Sequence, residues 1–179
     1  MSLEDREFVE HVLAGETEYF EPLVRKYNRM AGAIAYSVLG DFQAAEDVVQ
    51  ESFLKAFRAL GTLRDPDRFR AWLAGVVRRK AIDVKRARRD LPTADLEGHP
   101  LLRARSVEET TIAEEGRDRI LAAIESLPEE DRLVLVLKHM DGLSYREIAE
   151  VTGATVSSVE SRLFRARRCL KDKLNSTRT

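Results

Sequence analysis

The chain has 179 residues, of which 44% are hydrophobic and 34% charged, with a net charge of −1. That length suits one domain or two small ones with modest cores, and a charge near zero gives no general attraction to nucleic acid, so partners must be read from how charge is distributed. Cys169 is the only cysteine, which excludes an intrachain disulfide, and no apolar run approaches the roughly 20 residues of a membrane span. With no signal-peptide profile at the N-terminus, a soluble cytoplasmic protein without membrane insertion is expected. At the end of a basic helix, Cys169 reads as a small core residue.

Apolar residues recur at spacings of three and four through nearly the whole sequence, and period-two alternation is missing, so the expected fold is all-α. Phe8, Val9, Val12 and Leu13 mark a short first helix ending at Gly15. Phe20, Leu23, Val24, Tyr27, Ala31, Ile34, Ala35 and Val38 continue the rhythm to Gly40, with Pro22 near the helix start. Asp41 can cap a third helix whose buried stripe is Ala45, Val48, Val49, Ser52, Phe53, Ala56, Phe57 and Leu60. Its opposite side carries Glu46, Asp47, Gln50, Glu51 and Lys55 around an apolar Leu54. Such a face is either solvated surface or a protein-docking surface with one apolar anchor.

Residues Gly61–Asp67 read as a loop. A fourth helix then opens with Phe69, Trp72, Leu73, Val76 and Val77 and ends in Arg78, Arg79, Lys80, Lys85, Arg86, Arg88 and Arg89. Cations suit a helix C-terminus, but seven in twelve residues exceed that need and fit a surface that follows phosphates. Periodicity then lapses: Pro92, Gly98 and Pro100 mark a flexible linker over 90–114 between helical domains at 1–89 and 115–179. Ile120, Leu121, Ile124 and Leu127 resume the helical pattern. Pro128 opens a helix using Leu133, Val134, Val136 and Leu137, which ends at Asp141-Gly142.

The stretch 144–168 has the parts of a helix-turn-helix. Ser144 and Glu147 form a capping box, and Ile148, Ala149 and Val151 give an apolar side. Gly153 suits the left-handed end of the helix, and Thr155 caps a second helix with Val156, Val159, Leu163 and Ala166 inward. Its polar faces bear Ser158, Glu160, Ser161, Arg162, Phe164, Arg165, Arg167 and Arg168, the composition of a helix entering a DNA groove. Catalysis is not expected. His11, His99 and His139 are far apart, and Gly-rich phosphate loops, GxSxG and HExxH are missing, so no cofactor or metal is implied.

In order, AEDVVQESFLKAF (Ala45–Phe57), FRAWL (Phe69–Leu73) running into VVRRKAIDVKR, and LPEEDRLVLVLKHMDGLSYREIAEVTGATVSSVESRLFRAR resemble the extracytoplasmic-function (ECF) sigma factors of bacterial RNA polymerase. The resemblance covers about Phe8 to Leu174. It implies a transcription-initiation subunit that binds core polymerase and promoter DNA, aids melting, and has an anti-sigma factor as regulator. By the same resemblance, Asp47, Gln50, Glu51 and Leu54 dock on the polymerase clamp. Arg64, Trp72, Arg78, Arg79, Lys80, Lys85 and Arg86 serve the −10 element, where a base is flipped from the non-template strand. Ser158, Glu160, Ser161, Arg162, Phe164, Arg165 and Arg167 serve the −35 element.

Two positions depart from the family pattern. Relatives often carry Asn at the place of Arg79, and a basic residue at that of Glu160. A carboxylate there either reads a base, restrained by Arg162 or Arg165, or faces solvent at the groove's edge. The alternative to a sigma factor is a self-sufficient helix-turn-helix regulator binding duplex operators. That reading explains the C-terminal half but not the acidic helix followed by a basic one.

Overall fold

The computed structural model describes residues 3–90, 112–139 and 142–176. The expected linker core, with Pro92, Gly98, His99 and Pro100, lies outside them, as does Asp141. All regular elements among the described residues are helical: α1 (Leu3–Leu13), α2 (Phe20–Leu39), α3 (Phe42–Ala59), α4 (Phe69–Asp90), α5 (Ile112–Glu125), α6 (Glu129–His139), α7 (Tyr145–Thr152) and α8 (Val156–Ser176).

The boundaries follow from local chemistry. Pro22 sits in the first turn of α2, where its missing N–H leaves no bond unmade. Gly40 ends α2 at φ +67°, and its N–H donates to the Tyr36 carbonyl at 2.8 Å. Asp41, extended, accepts from the Ala44 N–H at 3.1 Å and starts α3. Between α3 and α4 the expected loop contains two single 3₁₀ turns, Leu60–Thr62 and Pro66–Arg68, the second capped by Asp65. Short-range bonds thereby satisfy a segment that composition alone marks as irregular. At the far side of the linker, α5 already begins at Ile112.

The stripes of α2, α3 and α4 close on one another around Leu23, Ile34, Val48, Leu60, Phe69 and Leu73, all buried. The C-terminal helices build a smaller core from Leu133, Leu137, Leu143, Ile148 and Leu163. Helical spacing overreached at the rims. Leu13, Phe57, Ile120, Leu121 and Val156 belong to the expected apolar stripes but are exposed at the rims, Phe57 keeping an edge contact with Phe20 at 5.1 Å between ring centres. Cys169 is partly buried against the core, as expected.

Spacing gave no sign of the buried Asp5, whose carboxylate accepts from Lys26 Nζ at 2.6 Å and from the Tyr27 hydroxyl, tying α1 to α2. The two helical units also touch. Helix α2 packs on α6, and α4 on α7. Arg132 of α6 donates from Nε and Nη2 to the Ser37 carbonyl (3.1 and 2.8 Å) and from Nη1 to the Glu125 carbonyl (2.9 Å). Tyr36 adds a hydrogen bond to Glu125 at 3.1 Å; burial and then that carboxylate push its phenol well above the ordinary range.

Candidate nucleic-acid interface

The first half offers two surfaces, one on α3 and one at the start of α4. On α3, Asp47, Gln50, Glu51 and Leu54 are all exposed, and Leu54 is 58% exposed despite being apolar. Glu51 also forms an ion pair with Lys80 of α4. The acidic face and the basic helix are thus bridged at one point rather than independent. Arg88 likewise reaches back, to Asp41 at 2.9 Å. The N–H of Ala44, followed by this guanidinium, holds the Asp41 carboxyl below its usual range.

Beneath the two 3₁₀ turns lies a cavity of about 490 Å³. Arg64, Trp72 and Arg79, all expected from the sequence, line it together, with Thr62, Asp65 and Arg68. The Pro66 turn, set by the Asp65 cap, holds the rim, and the buried start of α4 at Phe69 fixes Trp72 one turn on. Gly75 is buried between them in sequence. The Arg79 guanidinium lies back over it, 3.7 Å from where a Cβ would stand, an ordinary contact distance. A planar aromatic and planar guanidinium groups in a pocket of this size are suited to stack on and hydrogen-bond an unstacked base.

Further along α4, the expected phosphate-following cations divide. Arg86 is exposed, whereas Arg78 and Lys85 face the second unit. Lys85 forms an ion pair with Glu129, and Arg78 lies 3.8 Å from Glu130 and 3.5 Å from the Val151 carbonyl. Arg68 pairs with Glu150, and Arg70 lies 3.9 Å from Glu147. Glu150 and Val151 also complete one wall of the cavity.

In the second unit the capping box is formed. Ser144 Oγ accepts from the Glu147 N–H, and Glu147 Oε2 accepts from the Ser144 N–H at 2.7 Å. Burial raises the Glu147 carboxyl, but these bonds and the nearby Arg70 and Arg68 outweigh it and hold the group below its usual range. Gly153 closes α7 at φ +69°, and Thr155 Oγ1 accepts from the Ser158 N–H at 3.2 Å to begin α8. Val159, Leu163 and Ala166 are buried, which turns Glu160, Ser161, Phe164, Arg165 and Arg167 outward, with Ser158 half-buried.

The restraint expected for Glu160 does not occur. Arg162 pairs with Glu130 at 2.9 Å. Arg165 makes a forked contact to Asp131 at 2.9 and 3.1 Å, which pushes its guanidinium pKa up. Both arginines reach across to α6, because two and five residues from Glu160 are not facing positions on a helix. Asp131, buried although it reads as an ordinary first-turn acid, is the functional neighbour the sequence analysis missed. Arg167 approaches His139 at 3.4 Å.

The arrangement thus joins an acidic exposed helix, a cavity at the start of a basic helix and a second helix with an outward polar face. The sigma-70 region 2 family model matches residues 23–90, and the sigma-70 region 4 model matches residues 117–170. The chain is 35% identical to the ECF RNA polymerase sigma-E factor of Escherichia coli (strain K12), across 96% of its own length and 95% of that protein. The chain belongs to the ECF sigma factors. The RNA polymerase sigma-H factor of Pseudomonas aeruginosa is 35% identical, over 96% of this chain and 94% of that one. Among solved structures, CnrH in complex with the cytosolic domain of CnrY superposes with a TM-score of 0.69 at 29% identity, covering 97% of this chain and 98% of that one.

Membership in the family makes this sigma factor a specificity subunit for transcription initiation by RNA polymerase, without an enzymatic activity of its own. It also decides against the self-sufficient regulator. Among the described residues no helix is long and apolar enough to cross a membrane.

Proposed function

We propose that this sigma factor divides promoter recognition between its two units in the cytoplasm. The α3 face formed by Asp47, Gln50, Glu51 and Leu54 docks on core polymerase. The cavity of Arg64, Trp72 and Arg79 takes a flipped −10 base, with Arg78, Lys80, Lys85 and Arg86 along the opened strand. The exposed side of α8 reads the −35 duplex. Supporting this division above all is the convergence of Trp72, Arg79 and Arg64 on one cavity, although they are separated along two elements. Flipping costs a few kcal/mol, and a preformed stacking site is what offsets it.

Regulation by an anti-sigma factor fits the same reading. The sigma factor RpoE of Bartonella quintana, solved in complex with the anti-sigma factor NepR, shares this fold at 21% identity, with a TM-score of 0.66 over 87% of this chain and 96% of that one. The test is transcription with core polymerase from a randomised promoter library. Trp72→Ala and Arg79→Ala should erode −10 preference and leave −35 preference intact. Loss of both preferences together, or of neither, would refute the division. Sequence-specific nanomolar binding to duplex DNA by the isolated chain would refute its dependence on polymerase.

A further inference from the structure

The α4 side of the cavity is fixed by its own helix, whereas the loop side needs a hold from outside. Leu63 and Phe69 are buried at the ends of that loop, but none of the five residues between them is. Arg64, Asp65 and Arg68, which line the cavity, all lie in this span. Bonds within it are short-range: Asp65 Oδ1 accepts from the Asp67 N–H at 3.0 Å, and the Asp65 carbonyl from the Arg68 N–H at 2.9 Å. They shape the turn without fixing where it stands on the core.

The hold comes from α1, which packs on both 3₁₀ turns. Val9 and Val12 of α1 are buried, and the buried Asp5 ties the helix to Lys26 and Tyr27 of α2. The next residue, Arg6, reaches to the turn. Its Nε donates to Asp67 Oδ1 at 3.0 Å and its Nη2 to Asp67 Oδ2, a fork that sets direction as well as distance. Nη2 also lies 3.7 Å from Asp65 Oδ1, the oxygen that caps the turn, and Nη1 lies 3.4 Å from Glu10 on α1 itself.

We propose that Arg6 is a positioning residue for −10 recognition: α1 is a splint, and the fork from Arg6 to Asp67 holds residues 64–68 at the width a flipped base requires. This rests on the assignment of the cavity to the −10 base. Arg6 is not among the residues lining the cavity, so its effect passes through the turn. An exposed ion pair adds little to stability, which leaves geometry as its contribution. A site built on a loop is held precisely only where a supporting layer locks it.

Arg6→Ala and Asp67→Ala make the test, because they remove opposite charges. Charge attraction to DNA predicts that they change promoter affinity in opposite directions; the splint predicts that both lose −10 preference. Polymerase carrying each variant would transcribe from the randomised promoter library, with Trp72→Ala beside them and a thermal melt as a check on folding. Each should lower discrimination at the −10 element about two- to fivefold, the reach of an exposed ion pair, and leave −35 preference unchanged. The double variant should lose no more than either single one, since both break the same contact. Should Arg6→Ala unfold, Asp67→Ala decides alone.

Opposite effects of the two variants, losses that add in the double variant, or no change in either would overturn the splint. So would a lowered melt with transcription reduced equally at every promoter, the mark of a role in stability alone. If Trp72→Ala still erodes −10 preference in those cases, the cavity assignment stands. If Trp72→Ala has no effect either, assignment and splint fall together.

Discussion

Leu54 permits a quantitative test of docking because its cost to the fold is small. It is 58% exposed in the middle of the acidic face of α3. Full burial of a leucine is worth about 1.5–3 kcal/mol, so covering the exposed share at an interface contributes about 1–1.7 kcal/mol. With Cβ retained, Leu54→Ala should weaken the complex with core polymerase by about 1–1.5 kcal/mol, roughly five- to tenfold. The melt should move little, since surface truncations usually stay within about 0.5 kcal/mol. Leu13→Ala is the internal control: that side chain is 47% exposed, on α1, and should leave core affinity alone. Competition for fluorescent core polymerase, read beside a thermal melt, gives both quantities. Equal effects of the two variants, or none from Leu54→Ala with a normal melt, would remove this face from the interface.

Tyr27→Phe takes a hydroxyl donor from the buried Asp5 carboxylate and should destabilise the chain by about 1.5–3 kcal/mol in a denaturant melt. Asp41→Asn keeps a capping side chain but loses the charge held by Ala44 and Arg88. Because the folded carboxyl titrates below its ordinary value of 3.8, its contribution is complete above that pH and is lost on acidification through the folded value. Stability measured from pH 6 to 2.5 should therefore fall less steeply in Asp41→Asn. Glu160→Arg should change preference at one −35 base pair by about 1–3 kcal/mol if the carboxylate reads a cytosine amino group. Uniformly tighter binding to every −35 sequence would instead assign Glu160 a purely electrostatic role, whereas altered −10 preference would refute the division of reading between the two units.

Periodicity made the helices and most of the core legible, because burial of one stripe is what holds a helix in a small domain. The caps at Asp41, Ser144 and Thr155 were legible for a different reason: a cap is satisfied within three residues and owes nothing to the rest of the chain. Acidic residues were the hardest to place. Asp5 and Asp131 look like any first-turn acid, yet each is buried by a partner 21 to 34 residues away. Nor could spacing show that Lys85 and Glu129 meet, since the residues between them include the linker. The grouping of Arg64, Trp72 and Arg79 depended on a turn geometry that composition marks only as a loop.

The fork between Arg165 and Asp131 changes the ionic character of α8, the helix proposed to read the −35 element. By count, Arg162, Arg165, Arg167 and Arg168 on α8 would displace about four condensed cations from duplex DNA, one for each phosphate neutralised. Arg162 and Arg165 are already compensated by Glu130 and Asp131, while Arg168 has only an exposed Asp172 at 4.0 Å, leaving about two. The logarithm of affinity should then fall with the logarithm of salt at a slope near −2 rather than −4. A helix of this kind has little purchase on DNA of arbitrary sequence, where counterion release supplies most of the binding. If α8 reads the −35 duplex as proposed, its discrimination would rest more on base edges and would vary less with salt.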